Sequence, residues 1–392
     1  MPLRLVKDCK SFEWPGYLIH CKSMRLLAAI LFAQALSAQI MYVGTYTDGT
    51  SKGVYAYRFD DKTGKAAPMG LMAESANPTF LALHPNGKFL YAVNEVNTFQ
   101  GKAAGAVTAW SVDHATGKLT LLNQVSSASP GPCHLIVDST GKTLLVANYA
   151  GGSFASFPIG ADGKVGEAAS FIQEHGSSID KSRQSEPHGH SVNLPRNDKF
   201  MLGADLGTDH VMIFKLDSAN AKLTANDPPF ASVKPGSGPR HLVIAPDQKH
   251  VYVLSEMASS VTTFEFNAET GAMKDIDVES ALPADFKGQS TAAEIQIDKS
   301  GEHLYTSNRG DDSIAVFEID KKTAKPKLVQ NMSTGGQQPR AFVLDPSGNF
   351  LIAGNQKTNT IVVFKVDHAT GKLTPAGDKI DLGAPVTFVF LK

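Results

Sequence analysis

From residue 39 onward, apolar positions alternate with polar ones or run in short blocks, and each block ends in a turn of Pro, Asn, Asp and Gly. Val, Ile, Phe and Tyr dominate the blocks. A period of two in such residues, bounded by turn formers, is the pattern of strands, and no stretch there has a convincing helical period. The strands recur as a unit: strand, turn, strand, polar loop, strand. Copies read FLALHPNGKFLYAVNE from Phe80, HLIVDSTGKTLLVANY from His134 and HSVNLPRNDKFMLGADL from His190. Three more read HLVIAPDQKHVYVLSE from His241, EIQIDKSGEHLYTSNR from Glu294 and AFVLDPSGNFLIAGNQ from Ala341. A third strand follows each copy, SIAVFEID or TIVVFKVD for example, and then a weaker fourth.

Four strands per roughly 50 residues is the repeat of a β-propeller blade. Six copies are internal. A seventh is split between the ends: MYVGTY and GVYAYRFD near residue 40 lack a first strand, and PVTFVFL from Pro385 is a first strand with nothing after it. The pattern therefore predicts an all-β, seven-bladed β-propeller of four-stranded antiparallel blades, its ring closed by the C-terminal strand. Closure of this kind removes the two exposed edges that an open array would leave.

Ahead of the repeats, LLAAILFAQAL (26–36) follows Met24-Arg25 and ends in Ser37-Ala38-Gln39. A short basic stretch, an apolar run too short to span a bilayer, and small residues at a boundary form the pattern of a signal peptide. Residues 1–38 are thus expected to be an N-terminal extension and signal peptide with Met24 as the start, and 39–392 the propeller domain, periplasmic or secreted and away from the membrane once cleaved. Charge narrows the partners: 37 basic residues against 38 acidic ones leave no surplus to neutralise a phosphate backbone, so nucleic acid is not expected. Three cysteines are too few for a disulfide framework or a Cys-rich metal site.

In a propeller the start of each first strand and the end of each second strand share one rim, so the repeat brings distant residues to one mouth. One column, two residues into the first strand, holds Phe80, His134, His190, His241 and Glu294; the column before it holds Cys133, Gly189, Arg240 and Arg340. The strand ends add Glu95, Asn148, Glu256 and Arg309. The opposite rim carries turn residues alone. Arg240 and Arg309, expected at a solvent-facing rim on adjacent blades, have no plain structural role; with Glu256 they point to anion or carbonyl recognition beside a base. His190, Glu256, Arg240 and Arg309 are the catalytic candidates, and His134, His188, His241, Asn148, Glu95 and Arg340 the substrate-binding ones. An Asx turn competes for Asn148, and carbonyl capping for His134 and His241. His188-Gly-His190 would need a third ligand from another blade to bind a metal, so neither metal nor cofactor is assigned. Residues 166–186, the longest stretch without strand pattern, lead into His188 and are expected to cover part of the mouth.

Together, MYVGTYTDGTSKGVY, NPTFLALHPNGKFLYAVNE, EPHGHSV, GPRHLVIAPDQKHVYVLSE and SNRGDDSIAVF make residues 40–391 resemble the seven-bladed propeller lactonase family, which includes bacterial 6-phosphogluconolactonases and fungal carboxymuconate-cyclising enzymes. The resemblance implies a hydrolase that opens a sugar lactone, phosphorylated or not, to its acid. Its site would fall on His190, Arg240, Glu256 and Arg309: a guanidinium on the lactone carbonyl, and Glu256 or His190 taking a proton from water. A cyclase, or a propeller that only binds a ligand at this mouth, are the alternatives. Export favours an unphosphorylated lactone, since phosphorylated sugars are cytosolic.

Overall fold

Every apolar block pairs with the next through its turn, because an isolated strand leaves its backbone groups unsatisfied. The computed structural model describes residues 38–391, and among these all the regular elements are strands, arranged as seven four-stranded antiparallel sheets. The split repeat closes as expected: Pro385–Phe390 pairs with Ala38–Thr45, followed outward by Gly53–Asp60 and Ala66–Glu74. The other innermost strands are Phe80–Leu83, Pro132–Val137, Gly189–Asn193, Pro239–Ile244, Thr291–Ile297 and Pro339–Leu344. Each packs on the innermost strands of both neighbouring blades, and the circuit returns to Pro385–Phe390. We number the blades one to seven in that order, starting with the composite. The expected leader lies outside the described residues apart from its last residue, Ala38.

The core is seven wedges, one between each pair of adjacent blades. Leu90 packs toward blade one and its neighbour Tyr91 toward blade three. Second strands thus bury both faces, which is why FLYAVN and TLLVAN read as continuous apolar blocks. Four wedges also share a clasp. The hydroxyls of Tyr42, Tyr91, Tyr252 and Tyr305 donate to carbonyls of Gly117, Gly163, Ala324 and Gly371 in the turn of the next blade. Each clasp satisfies a buried hydroxyl that would otherwise cost about 1–3 kcal/mol.

One irregularity shapes the channel. Near the start of the innermost strand the register slips, so that one extra residue bulges out of the ladder: Cys133 in blade three, His190 in blade four, Arg240 in blade five and Arg340 in blade seven. A bulge re-aims a side chain that regular pleating would direct elsewhere. The register also corrects the sequence columns. Gly189 faces Asp205 as Pro239 faces Ser255, so His190 is equivalent to Arg240 and Arg340, not to His241. Blade four lacks the Pro that marks the start of most other first strands, which concealed this one-residue offset.

Candidate active site

Glu256, first residue after the second strand of blade five, is the centre on which the mouth converges. It is 5% exposed. Its Oε2 lies 2.9 Å from Arg309 Nη2, 3.2 Å from Arg240 Nε and 3.7 Å from His190 Nε2. Its Oε1 accepts a hydrogen bond from Arg183 Nη2 at 2.7 Å. Burial alone would raise its pKa, but the charges of Arg309, Arg240 and Arg183 outweigh that and hold it at about 2.

The arginines are themselves fixed. Arg240 Nη1 donates to the carbonyl of Ala293, and Arg309 Nη2 to that of Ala292 at 3.0 Å, so both lean on the first strand of blade six. Arg240 is 2% exposed, which corrects the expectation of a solvent-facing rim residue. Burial lowers its pKa to about 10, far above neutrality, and it stays charged. The Nε groups of Arg240 and Arg309 are buried without a hydrogen-bond partner; the former is near Glu256 but poorly angled. Such donors carry a desolvation cost that an arriving oxyanion would relieve.

His190 is 4% exposed, and burial, then Arg240, His241 and Arg340, push its pKa well below the ordinary range. It is therefore neutral, and its contact with Glu256 is not an ion pair. Its Nδ1 is 3.8 Å from the Sγ of buried Cys133, whose thiol burial holds protonated.

A second cluster occupies the opposite side of the mouth. Glu95 accepts from Tyr46 Oη at 2.8 Å and Thr79 Oγ1 at 2.6 Å; Arg340 Nη2 is 3.8 Å away, its guanidinium 5.4 Å from the Tyr46 ring centre. Beneath both clusters, His241 sits within 5.1 to 6.0 Å, centre to centre, of the His134, His190 and Phe80 rings, and Glu294 Oε1 is 3.2 Å from its Nδ1.

Of the sequence candidates, His190, Arg240, Glu256 and Arg309 come together, with Arg340 and Glu95 across the mouth and His134 and His241 in the layer below. His188 precedes the strand, stacks on Tyr149 and directs Nδ1 at the Tyr149 carbonyl. Asn148 is fully buried and its Nδ2 donates to Ser127 O and Ser153 Oγ. That is a structural role in satisfying neighbouring groups, though not through an Asx turn, since its Oδ1 has no hydrogen-bond partner. Among the described residues, no three His, Cys, Asp or Glu side chains gather closely enough to hold a metal.

Sequence reasoning missed Arg183. The stretch 166–186 is not wholly irregular, since Ser170–Gln173 forms the outer strand of blade three. The remainder returns to the mouth as a strap, pinned where buried Gln184 donates to Leu206 O. A lone Arg in a polar loop gives no signal of where that loop will lie. A cleft of about 540 Å³, lined by Leu242, Ile244, Gln296 and other ends of first strands, opens at the opposite rim, away from this convergence.

Comparison with known proteins agrees with the architecture. The family model described as "Lactonase, 7-bladed beta-propeller" matches residues 40–390. A 6-phosphogluconolactonase of Bacillus subtilis is 34% identical over 91% of this chain and 99% of its own. One from Formosa agariphila is 35% identical over 78% and 86%. The solved periplasmic gluconolactonase of Pseudomonas aeruginosa superposes with a TM-score of 0.85, at 30% identity over 91% of this chain and 99% of that one.

Proposed function

The chain belongs to the seven-bladed β-propeller lactonase family, and from that premise we propose that its mouth hydrolyses a sugar lactone to the open-chain acid by attack of water on the carbonyl. The observation that carries this reading is the set of buried, partly unpartnered guanidinium donors around Glu256. A lactone carbonyl seated there gains negative charge as water adds, and fixed donors stabilise it without reorganising. Arg240 and Arg309 take that oxyanion. Glu256 is a poor base at a pKa of about 2, and its part is to hold the guanidinium groups in place. His190, kept neutral by burial and therefore with a free ring lone pair, takes the proton from water. Its low basicity is offset as Glu256 beside it stabilises the imidazolium that forms.

Substrate charge divides two versions. Three arginines against one Glu256 leave two cations in excess, which suits a phosphorylated lactone. Export, expected from residues 1–38, suits an unphosphorylated one. No helix among the described residues is long and apolar enough to cross a membrane. A pH-stat assay of the purified protein against glucono-δ-lactone and its 6-phosphate tests both, each corrected for uncatalysed opening. Acid release above the blank is the expected result. No release from either lactone would favour a binding module, and lactone formation from an unsaturated diacid would favour a cyclase.

A further inference from the structure

Opening a lactone requires two proton movements. One proton leaves the attacking water; another must reach the ring oxygen as its bond to the carbonyl carbon breaks, because an alkoxide is a poor leaving group. Around Glu256 only His190, once it holds the proton from water, could supply the second, since guanidinium groups keep their protons and Glu256 is fixed as a carboxylate.

Directly below lies an acid and imidazole that this chemistry leaves unused. Glu294 and His241 stand on the first strands of adjacent blades, 9% and 5% exposed, with Oε1 3.2 Å from Nδ1. Glu294 cannot turn away easily. The same oxygen accepts the Ile295 backbone N–H at 3.0 Å, and the Glu294 N–H donates to Ser307 Oγ at 3.0 Å. The His241 ring lies 5.4 Å from that of His190, which in turn reaches Glu256. The pair thus lies beside the ring that contacts Glu256 and within reach of the charges of Arg240, Arg340 and Arg309.

We propose that His241 is the proton donor to the departing ring oxygen and that Glu294 resupplies it, an inference that rests on the lactone-hydrolase reading. Water oxygen bonds to the carbonyl carbon, and its proton passes to His190. The carbon–ring-oxygen bond then breaks, its electron pair stays on oxygen, and that oxygen takes a proton from His241 Nε2. The carboxylic proton of Glu294 moves to His241 Nδ1. Return of the His190 proton to the pair through solvent resets the site; one water has been consumed and one hydroxy acid formed.

The surroundings keep the pair loaded. Burial raises Glu294 to about 7 against the opposing pull of Arg240, the Ile295 N–H, His134 and Arg340. Burial, Arg240, Arg340 and Arg309 hold His241 below its ordinary range, with Glu256 pulling upward. The exchangeable proton therefore rests on Glu294 below about pH 7 and is lost above it. A proton donor fails when deprotonated, so turnover should fall as pH rises through that value.

The test is kcat and KM against pH, from 5.5 to 8.5, for wild type, Glu294→Gln and His241→Gln, with melting curves confirming that the variants fold. Wild type should show a descending limb near pH 7. Glu294→Gln should lower kcat roughly 10²-fold, leave KM nearly unchanged and lose the limb. A wild-type profile flat through pH 7 would overturn the assignment without any variant, and so would a folded Glu294→Gln enzyme with wild-type kcat and limb. A wild type that opens no lactone removes the underlying reading, a failure visible before any variant is made.

Discussion

Glu95 and Glu256 occupy the same position in the repeat, one residue beyond the second strand, yet they are held in opposite ways. Glu256 is nearly inaccessible and contacts three guanidinium groups. Glu95 is 22% exposed in its side chain and rests on two hydroxyls, with one arginine at 3.8 Å. The difference originates in the neighbours. Bulged Arg240 and, from the following blade, strand-end Arg309 flank Glu256, whereas Thr79 holds the place of Arg240 beside Glu95 and the second partner there, Tyr46, comes from the preceding blade. A carboxylate with hydroxyl partners suits exchange with sugar hydroxyls. One caged by cations suits the organisation of those cations.

Removing each charge in turn is the strongest way to break this contrast. Glu256→Gln leaves buried arginines uncompensated, and losing one partner of a buried ion pair costs about 3–5 kcal/mol. Glu95→Gln should cost about 1 kcal/mol or less and act chiefly through KM. The pH dependence of stability carries the same signature. Because the folded pKa of Glu256 is about 2, below its unfolded value, its contribution is present above roughly pH 4.5 and is lost as pH falls toward 2. Denaturant melts of wild type and Glu256→Gln should therefore differ less at pH 3.5 than at pH 7, with the gap still open because pH 3.5 lies above the folded pKa. Equal losses from both substitutions at pH 7 would erase the distinction.

That contrast was only half legible in the sequence. Strand, turn and strand repeats place Glu95 and Glu256 in one column, and Arg309 follows from the same count, because period-two patterning and turn chemistry are local. The columns also reached His190, but by a misaligned register, since a bulge adds a residue without changing the apolar pattern. The burial of Arg240 was not legible either; a strand start is exposed in an isolated blade and becomes enclosed only when seven blades close. Contacts between blades, such as Glu294 with His241, depend on that closure as well.

A less drastic change separates the two arginines that share Glu256 Oε2. Arg240→Lys and Arg309→Lys keep the charge but lose the planar fork and its unpartnered Nε–H. Each should lower kcat by roughly 10²-fold if that donor stabilises the oxyanion. Arg240→Lys should also lower the melting temperature, because its side chain is fully enclosed and bonded to Ala293 O, while Arg309, 15% exposed in its side chain, should be milder. A rise in KM with kcat intact would reassign the altered residue to ground-state binding.

Arg183 should give the smallest effect and the finest resolution. Its side chain is 39% exposed and comes from the strap, not from a blade; it contacts Glu256 Oε1 at 2.7 Å and Tyr149 Oη at 3.2 Å. Removing it leaves Glu256 two guanidinium groups, so Arg183→Gln should shift stability by less than about 1 kcal/mol. Being the most exposed cation of the cage, it is the one best able to leave Glu256 for an incoming substrate anion. A charge-assisted hydrogen bond lost from that encounter is worth about 1.5–3 kcal/mol, a tenfold or greater rise in KM, with kcat little altered. The rise should be larger for the 6-phosphate than for the unphosphorylated lactone if Arg183 meets the phosphate, and equal for both if it meets the ring. A fall in kcat at constant KM would instead make Arg183 a positioning residue for Glu256. No change in either constant would leave the strap as a cover alone, and the cage around Glu256 would then consist functionally of the two arginines held by blades five and six.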